Sequence, residues 1–178
     1  LDPVYRVGDQ VAEAMREHLG IGRREARKQV VELFHEVRLP DPEALYDRYP
    51  HQLSGGQKQR VVIALALSCG PKVLICDEPT TALDVLVQRD ILALLKELQQ
   101  KHRMGMLFIT HDLGVVREVA DRVLVMHQGE VVEEAPVERL FTDPQHPYTK
   151  GLLACRPGRS HPRQLPTVAD FLRGELPP

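Results

Sequence analysis

The stretch Leu53-Ser54-Gly55-Gly56-Gln57-Lys58-Gln59-Arg60, read together with Val73-Leu74-Ile75-Cys76-Asp77-Glu78 downstream of it, decides the fold. In the first, a serine and two glycines stand at the mouth of an apolar run from Val61 to Leu67, the pattern of a helix start. The first backbone N–H groups of a helix have no intrahelical acceptor. Where no Cβ obstructs them, they make a seat for a phosphate oxygen. The second stretch is too short for a free-standing helix and is bounded by Gly70-Pro71 and Asp77-Glu78. That is the pattern of a central parallel strand buried on both faces. Its terminal carboxylates suit Mg²⁺ binding and activation of a water. Neighbouring residues on a strand point to opposite sides, which allows Asp77 and Glu78 different roles.

Taken singly, Ser-Gly-Gly reads as a turn and Asp-Glu as a solvated strand end. The next segments change that balance. Pro79-Thr80-Thr81-Ala82-Leu83-Asp84 leads into a helix with Asp84 as its N-cap. Leu107-Phe108-Ile109-Thr110-His111-Asp112 is another apolar strand ending in polar residues.

These four segments, in this order, resemble the signature, Walker B, D-loop and switch-histidine motifs of ABC-type ATPases. The resemblance runs from Leu1 to Thr149 and implies an α/β fold, the P-loop NTPase fold of ABC type. It also implies roles. Ser54, Gly55, Gly56 and Gln57 would contact ATP held by a second nucleotide-binding domain. Asp77 would hold Mg²⁺ through water, Glu78 would polarise the attacking water, and His111 would reach the γ-phosphate. Asp84 would touch the partner across the dimer. The cofactors so implied are ATP and Mg²⁺.

No G-x-x-x-x-G-K-[ST] occurs anywhere, and the chain begins at Leu1. The family needs that phosphate loop ahead of its signature, together with a glutamine loop. The expectation is therefore the later part of a longer protein, lacking the N-terminal β subdomain and the P-loop strand. Three segments are expected: a helical subdomain over 1–69 ending in the signature helix, an α/β core over 70–135, and a C-terminal extension over 136–178.

Within the first segment, Val7, Val11, Met15 and Leu19 repeat at helical spacing up to Gly20. Ala26, Val30, Leu33, Phe34 and Val37 mark one face of a second helix, which Pro40 and Pro42 stop. Such a pair covers a core. By resemblance it is also the part that meets the transmembrane partner. Further on, Val87, Ile91, Leu94, Leu95 and Leu98 form one helical face, and two strands flank a tight turn at Gln128-Gly129. Pro136 opens a short helix. Asp143-Pro144-Gln145-His146-Pro147-Tyr148-Thr149 resembles a tail motif of the peptide and nickel branch of ABC importers. From Arg156 onward the proline-rich chain reads as a tail or as a linker to a second ATPase module. Some relatives carry clustered cysteines there for an iron–sulfur cluster; with Cys155 alone, none is expected.

Composition narrows the partners. The 178 residues suffice for one substantial core. A net charge of −2 gives no reason to expect nucleic acid or an anionic membrane surface. No apolar run approaches the roughly 20 residues that cross a bilayer, so a membrane role comes through permease subunits. Cys69, Cys76 and Cys155 lack metal-ligand spacing and suggest reduced thiols, with Cys76 a small core residue. The implied setting is the cytoplasmic face of the inner or plasma membrane. The implied function is that of the ATP-hydrolysing subunit of an oligopeptide or dipeptide importer, paired as a homodimer, heterodimer or tandem module. Two other readings stay open. One is a DNA-repair or chromosome-organising ABC ATPase, although no long heptad run precedes the signature. The other is a fragment that binds a partner without turning over nucleotide.

Overall fold

In the computed structural model, which describes residues 1–81, 83–154 and 172, the chain divides into two units, Leu1–Ile109 and Thr110–Pro178. The proline-rich tail and Cys155 lie outside the described residues.

The first unit opens with α1 (Val7–Leu19), whose Val7, Val11 and Met15 are buried as their spacing predicts. Gly20 ends it in the left-handed region at φ 66°, its N–H donating to the Arg16 carbonyl. Helix α2 (Arg23–Glu36) buries Ala26, Val30, Leu33 and Phe34, and Val37 is buried just past its end. Each such aliphatic or aromatic side chain contributes about 1.5–3 kcal/mol when removed from water.

Pro42 does not merely stop α2. It occupies the first turn of a short helix, α3 (Pro42–Tyr46), whose N-cap is Asp41. A proline lacks the N–H that a helix start leaves unused, so the same residue that bars one helix suits the start of another. Helix α3 delivers Tyr46 onto Gly8 of α1, where a Cβ would lie 2.2 Å from the Tyr46 ring. The Arg27 guanidinium covers that ring at 4.0 Å, and the Tyr46 hydroxyl donates to Asp9 at 3.1 Å. Burial and that bond push the phenol up to about 12. Arg6 and Arg27 both donate to Asp47, so the three helices are pinned at one point.

A 3₁₀ turn (Pro50–Gln52) leads to α4 (Gly55–Leu67), which buries Val61, Ile63, Ala64 and Leu67. Strand β1 (Val73–Asp77) pairs in parallel with β2 (Gly105–Ile109), from Val73 opposite Gly105 to Asp77 opposite Ile109. Between them runs α5 (Val85–His102), with Ile91, Leu92, Leu94, Leu95 and Leu98 buried. This is the right order for a parallel crossover. The expectation of a strand buried on both faces does not hold within this unit. Leu74 and Cys76 point into the core, whereas Val73 and Ile75 are 59% and 64% exposed. The helices of the unit pack on one face of the β1–β2 pair only, so alternate residues take opposite environments.

The second unit begins with α6 (Leu113–Val119), followed by the antiparallel hairpin of β3 (Arg122–His127) and β4 (Glu130–Pro136). Gln128 and Gly129 turn it, both at positive φ, as a two-residue hairpin loop requires. Helices α7 (Val137–Thr142) and α8 (Pro147–Ala154) follow. Val125, Ala135 and Leu140 form a small core against which Tyr148 packs.

Candidate functional site

Helix α4 begins where the serine and glycines predicted it. Ser54 is its N-cap: the hydroxyl accepts from the Gln57 N–H at 3.3 Å, and the Gln57 side chain accepts from the Ser54 N–H at 3.0 Å. This reciprocal capping box fixes the entry of the chain. It leaves the amides of Gly55 and Gly56, in the first turn, at positions that a helix does not satisfy internally. Ser54 and Gly55 are exposed and Gly56 is half-buried.

The two glycines differ in what surrounds them. A Cβ on Gly55 would meet the Leu83 side chain at 3.5 Å, an ordinary contact. A Cβ on Gly56 would lie 2.8 Å from Val87 Cγ1, closer than packed carbons approach. The signature helix thus rests on the start of α5. Asp84 is the N-cap of α5, accepting from the Val87 N–H at 2.9 Å. Ser54, Gly55, Gly56, Gln57 and Asp84 are therefore gathered where two capped helix starts meet.

Asp77 ends β1, exposed, and Glu78 follows it, also exposed. Glu78 has φ 44°, in the left-handed region. A Cβ disfavours that region by on the order of 1 kcal/mol, and the following Pro79 favours extended backbone at residue 78. The conformation is held from several sides. The Glu78 N–H donates to the Ile109 carbonyl at 2.9 Å, and the Thr81 N–H reaches the Glu78 carbonyl at 3.4 Å. The Thr81 hydroxyl donates to Glu78 Oε2 at 2.8 Å, and Pro79 and Thr80 are buried between. Thr81 carried no role in the sequence reading. Its signal was only its place, three residues past an acid in a turn.

His111 lies at the start of the second unit, exposed, next to Asp112, the N-cap of α6. Asp112 accepts from the Gly114 N–H at 2.7 Å, while its own N–H donates to the Thr110 hydroxyl at 3.0 Å. The histidine therefore sits in a turn braced on both sides.

The tail motif at Asp143–Thr149 gains a physical role. One carboxylate, Glu133 on β4, accepts from the N–H groups of Gln145 at 2.8 Å and His146 at 2.9 Å. Burial raises the Glu133 pKa, but the nearby Thr149 hydroxyl together with these N–H donors outweighs it and holds the carboxyl below its ordinary value. His146 Nδ1 accepts from the Tyr148 N–H, and the Tyr148 ring lies 4.1 Å from that of His127. The motif fastens the start of α8 to the hairpin.

As to metals, among the described residues no group of three or more His, Cys, Asp or Glu side chains could hold an ion. At the end of β1, Asp77 and Glu78 offer hard oxygen donors. That fits Mg²⁺, which takes one or two carboxylates and completes its shell with water and phosphate. Among the described residues, no helix is long and apolar enough to cross a membrane.

Comparison with known proteins matches residues 1–81 to the ABC transporter family and residues 132–174 to the oligopeptide/dipeptide transporter C-terminal region. The glutathione import ATP-binding protein GsiA of Escherichia coli strain K12 is 54% identical over 175 residues, covering 95% of this chain. The GsiA of Salmonella paratyphi A gives the same figures. The chain spans 28% of the length of these relatives. Among solved structures, the dimeric bacterial ABC transporter cassette MJ0796 aligns with a TM-score of 0.66 at 32% identity, over 77% of this chain and 59% of that one. A metal-chelate type ABC transporter in an inward-facing conformation aligns with a TM-score of 0.70 at 27% identity, over 80% of this chain and 57% of its own. In its motifs, its fold and these matches, the chain is similar to ABC transporter ATP-binding proteins, with residues 1–81 matching the ABC transporter family and residues 132–174 the oligopeptide/dipeptide transporter C-terminal region.

Proposed function

We propose that the protein to which this chain belongs binds and hydrolyses ATP to drive import of a peptide-type solute, oligopeptide, dipeptide or glutathione, through permease subunits at the cytoplasmic face of the membrane. The observation that carries this reading is the pairing of a capped, glycine-built helix start at Ser54–Gly56 with a strand that ends in Asp77 and Glu78. One seats a terminal phosphate; the other supplies carboxylates where water must be activated. Two relatives named for glutathione import, and the C-terminal region match, support a peptide-type solute.

In this reading the chain works in a dimer of nucleotide-binding domains, as the dimeric MJ0796 cassette suggests. The Gly55 and Gly56 amides and the Ser54 hydroxyl hold the γ-phosphate of ATP bound by the partner domain. A helix start favours an anion by roughly 0.3–1 kcal/mol when exposed. Direct charge-assisted bonds from these groups supply the remainder of the grip. Asp77 would hold Mg²⁺, which would neutralise charge on the phosphoryl oxygens. Glu78 accepts the proton of the attacking water, His111 orients the terminal phosphate, and Asp84 braces the seam between domains. The α1–α2 region, with a cleft of about 500 Å³ bordered by Asp9, Glu13, Arg16 and Arg23, offers both signs of charge to a permease segment.

The test is Glu78→Gln in the full-length protein, assayed for Mg²⁺-dependent ATP hydrolysis and for nucleotide binding. The expected result is a loss of about 10²-fold or more in turnover with binding retained. Hydrolysis at the wild-type rate would remove Glu78 as the base.

A further inference from the structure

We infer that Thr81 is a positioning residue for Glu78, aiming its carboxylate through the hydroxyl bond that closes the turn after β1. The inference rests on the reading of Glu78 as general base.

Two independent features point to it. The first is the bond itself, 2.8 Å from Thr81 Oγ1 to Glu78 Oε2, donated by a neutral hydroxyl to a carboxylate oxygen. A bond to an ionised acceptor is stronger and more directional than one between neutral groups. The second is the backbone. Glu78 sits at φ 44° directly before a proline, a conformation that persists only where its surroundings impose it. The same Thr81 contributes there too, through its N–H to the Glu78 carbonyl at 3.4 Å. One residue thus grips the acid at its main chain and at its side chain. A glutamate has three side-chain torsions and, at the surface, would sample several rotamers; Glu78 is exposed. A base acts only within hydrogen-bond reach of its water, so narrowing those rotamers raises the fraction of time spent in a competent geometry. A carboxylate offers about four lone-pair sites, so a bond from the Thr81 hydroxyl is compatible with proton acceptance.

The variants Thr81→Val, which keeps the shape and removes the donor, and Thr81→Ser, which keeps the donor, separate aiming from packing. In the full-length protein, Thr81→Val lowers kcat about tenfold with KM for ATP within about twofold, because aiming acts on the chemical step. Thr81→Ser recovers most of that loss. Thr81→Val placed on Glu78→Gln adds no further loss, since the group it would aim is gone. Should Thr81→Val disturb folding, Thr81→Ala gives the same comparison without added bulk.

The inference is overturned if Glu78→Gln abolishes turnover while Thr81→Val and Thr81→Ala run at the wild-type kcat. It is overturned equally if Thr81→Ser is as slow as Thr81→Val, or if only KM moves. Wild-type turnover by Glu78→Gln instead removes the base assignment, and this inference with it.

Discussion

Gly56→Ala in the full-length protein opposes two effects whose sizes the structure allows to be ranked. Alanine is the better helix former, a gain of at most about 1 kcal/mol. Against it stands the new Cβ, 2.8 Å from Val87 Cγ1. Ordinary contact requires the two helices to part by about half an ångström or Val87 to turn away. Val87 cannot turn cheaply. It is β-branched in a helix, where one χ1 rotamer dominates, and its N–H is tied to the Asp84 carboxylate at 2.9 Å. Overpacking of this kind costs about 1–3 kcal/mol, so the clash wins by about 1 kcal/mol. Hydrogen exchange followed by mass spectrometry on peptides covering 53–60 and 84–91 reads the effect locally, without assuming two-state unfolding of a large protein. Exchange in both segments should quicken about fivefold. Adding Val87→Ala should restore the Gly56→Ala segment to the exchange of Val87→Ala alone. Gly55→Ala, whose Cβ would rest 3.5 Å from Leu83, is the matched control and should leave exchange unchanged or slower. Slower exchange in Gly56→Ala itself, or strictly additive effects of the pair, would refute the reasoning.

Burial pushes the Cys76 thiol up to about 11, so at pH 8 it should resist alkylation in the folded protein and react once denatured, as peptide mass spectrometry can show. For Glu36, burial raises the carboxyl pKa, but donors from Lys101 at 3.0 Å and His102 at 2.6 Å outweigh it and the net shift is downward. A depressed carboxylate contributes stability above its unfolded value of 4.5 and loses it as pH falls through the folded one. Exchange protection of the last turn of α5 should therefore fall below that range in the wild type. In Glu36→Gln it should be weaker by about 1 kcal/mol at pH 7 and nearly flat with pH.

Helices α1, α2 and α5 were legible because each carries a single apolar face at a spacing of three and four residues. Val7, Val11 and Met15, or Ile91, Leu94, Leu95 and Leu98, have one reading. The caps were equally legible, since Ser54 and Asp84 precede their helices by the required single step. Contacts distant in sequence were not. Nothing local marks Gly8 as the floor for Tyr46, or Glu133 as the anchor of Gln145 and His146, because those pairings depend on how elements meet. Strand β1 shows a subtler failure. A run such as Val-Leu-Ile-Cys records hydrophobicity on both faces but cannot say what covers each, and in the first unit Val73 and Ile75 remain exposed. Thr81 escaped notice because a threonine in a turn ordinarily bonds backbone, whereas here its hydroxyl takes a carboxylate.

The two glycines of the signature looked equivalent in the sequence, both serving access to backbone amides. Their surroundings separate them. Gly56 is required by this chain's own packing, because Val87 occupies the space a side chain would need. Gly55 is exposed and sterically unconstrained by its own fold, and as a helical residue it would be improved by alanine. A demand for glycine at a position where alanine fits and stabilises would come from something that approaches from outside. If Gly55→Ala leaves exchange intact yet weakens nucleotide-driven dimerisation, the demand for glycine there comes from the ligand and not from the fold. Loss of Gly56 would weaken the same dimerisation by way of Val87, and Val87→Ala should relieve that part of the loss. The contrast between neighbouring residues thus divides the proposed phosphate seat into a part set by folding and a part set by binding.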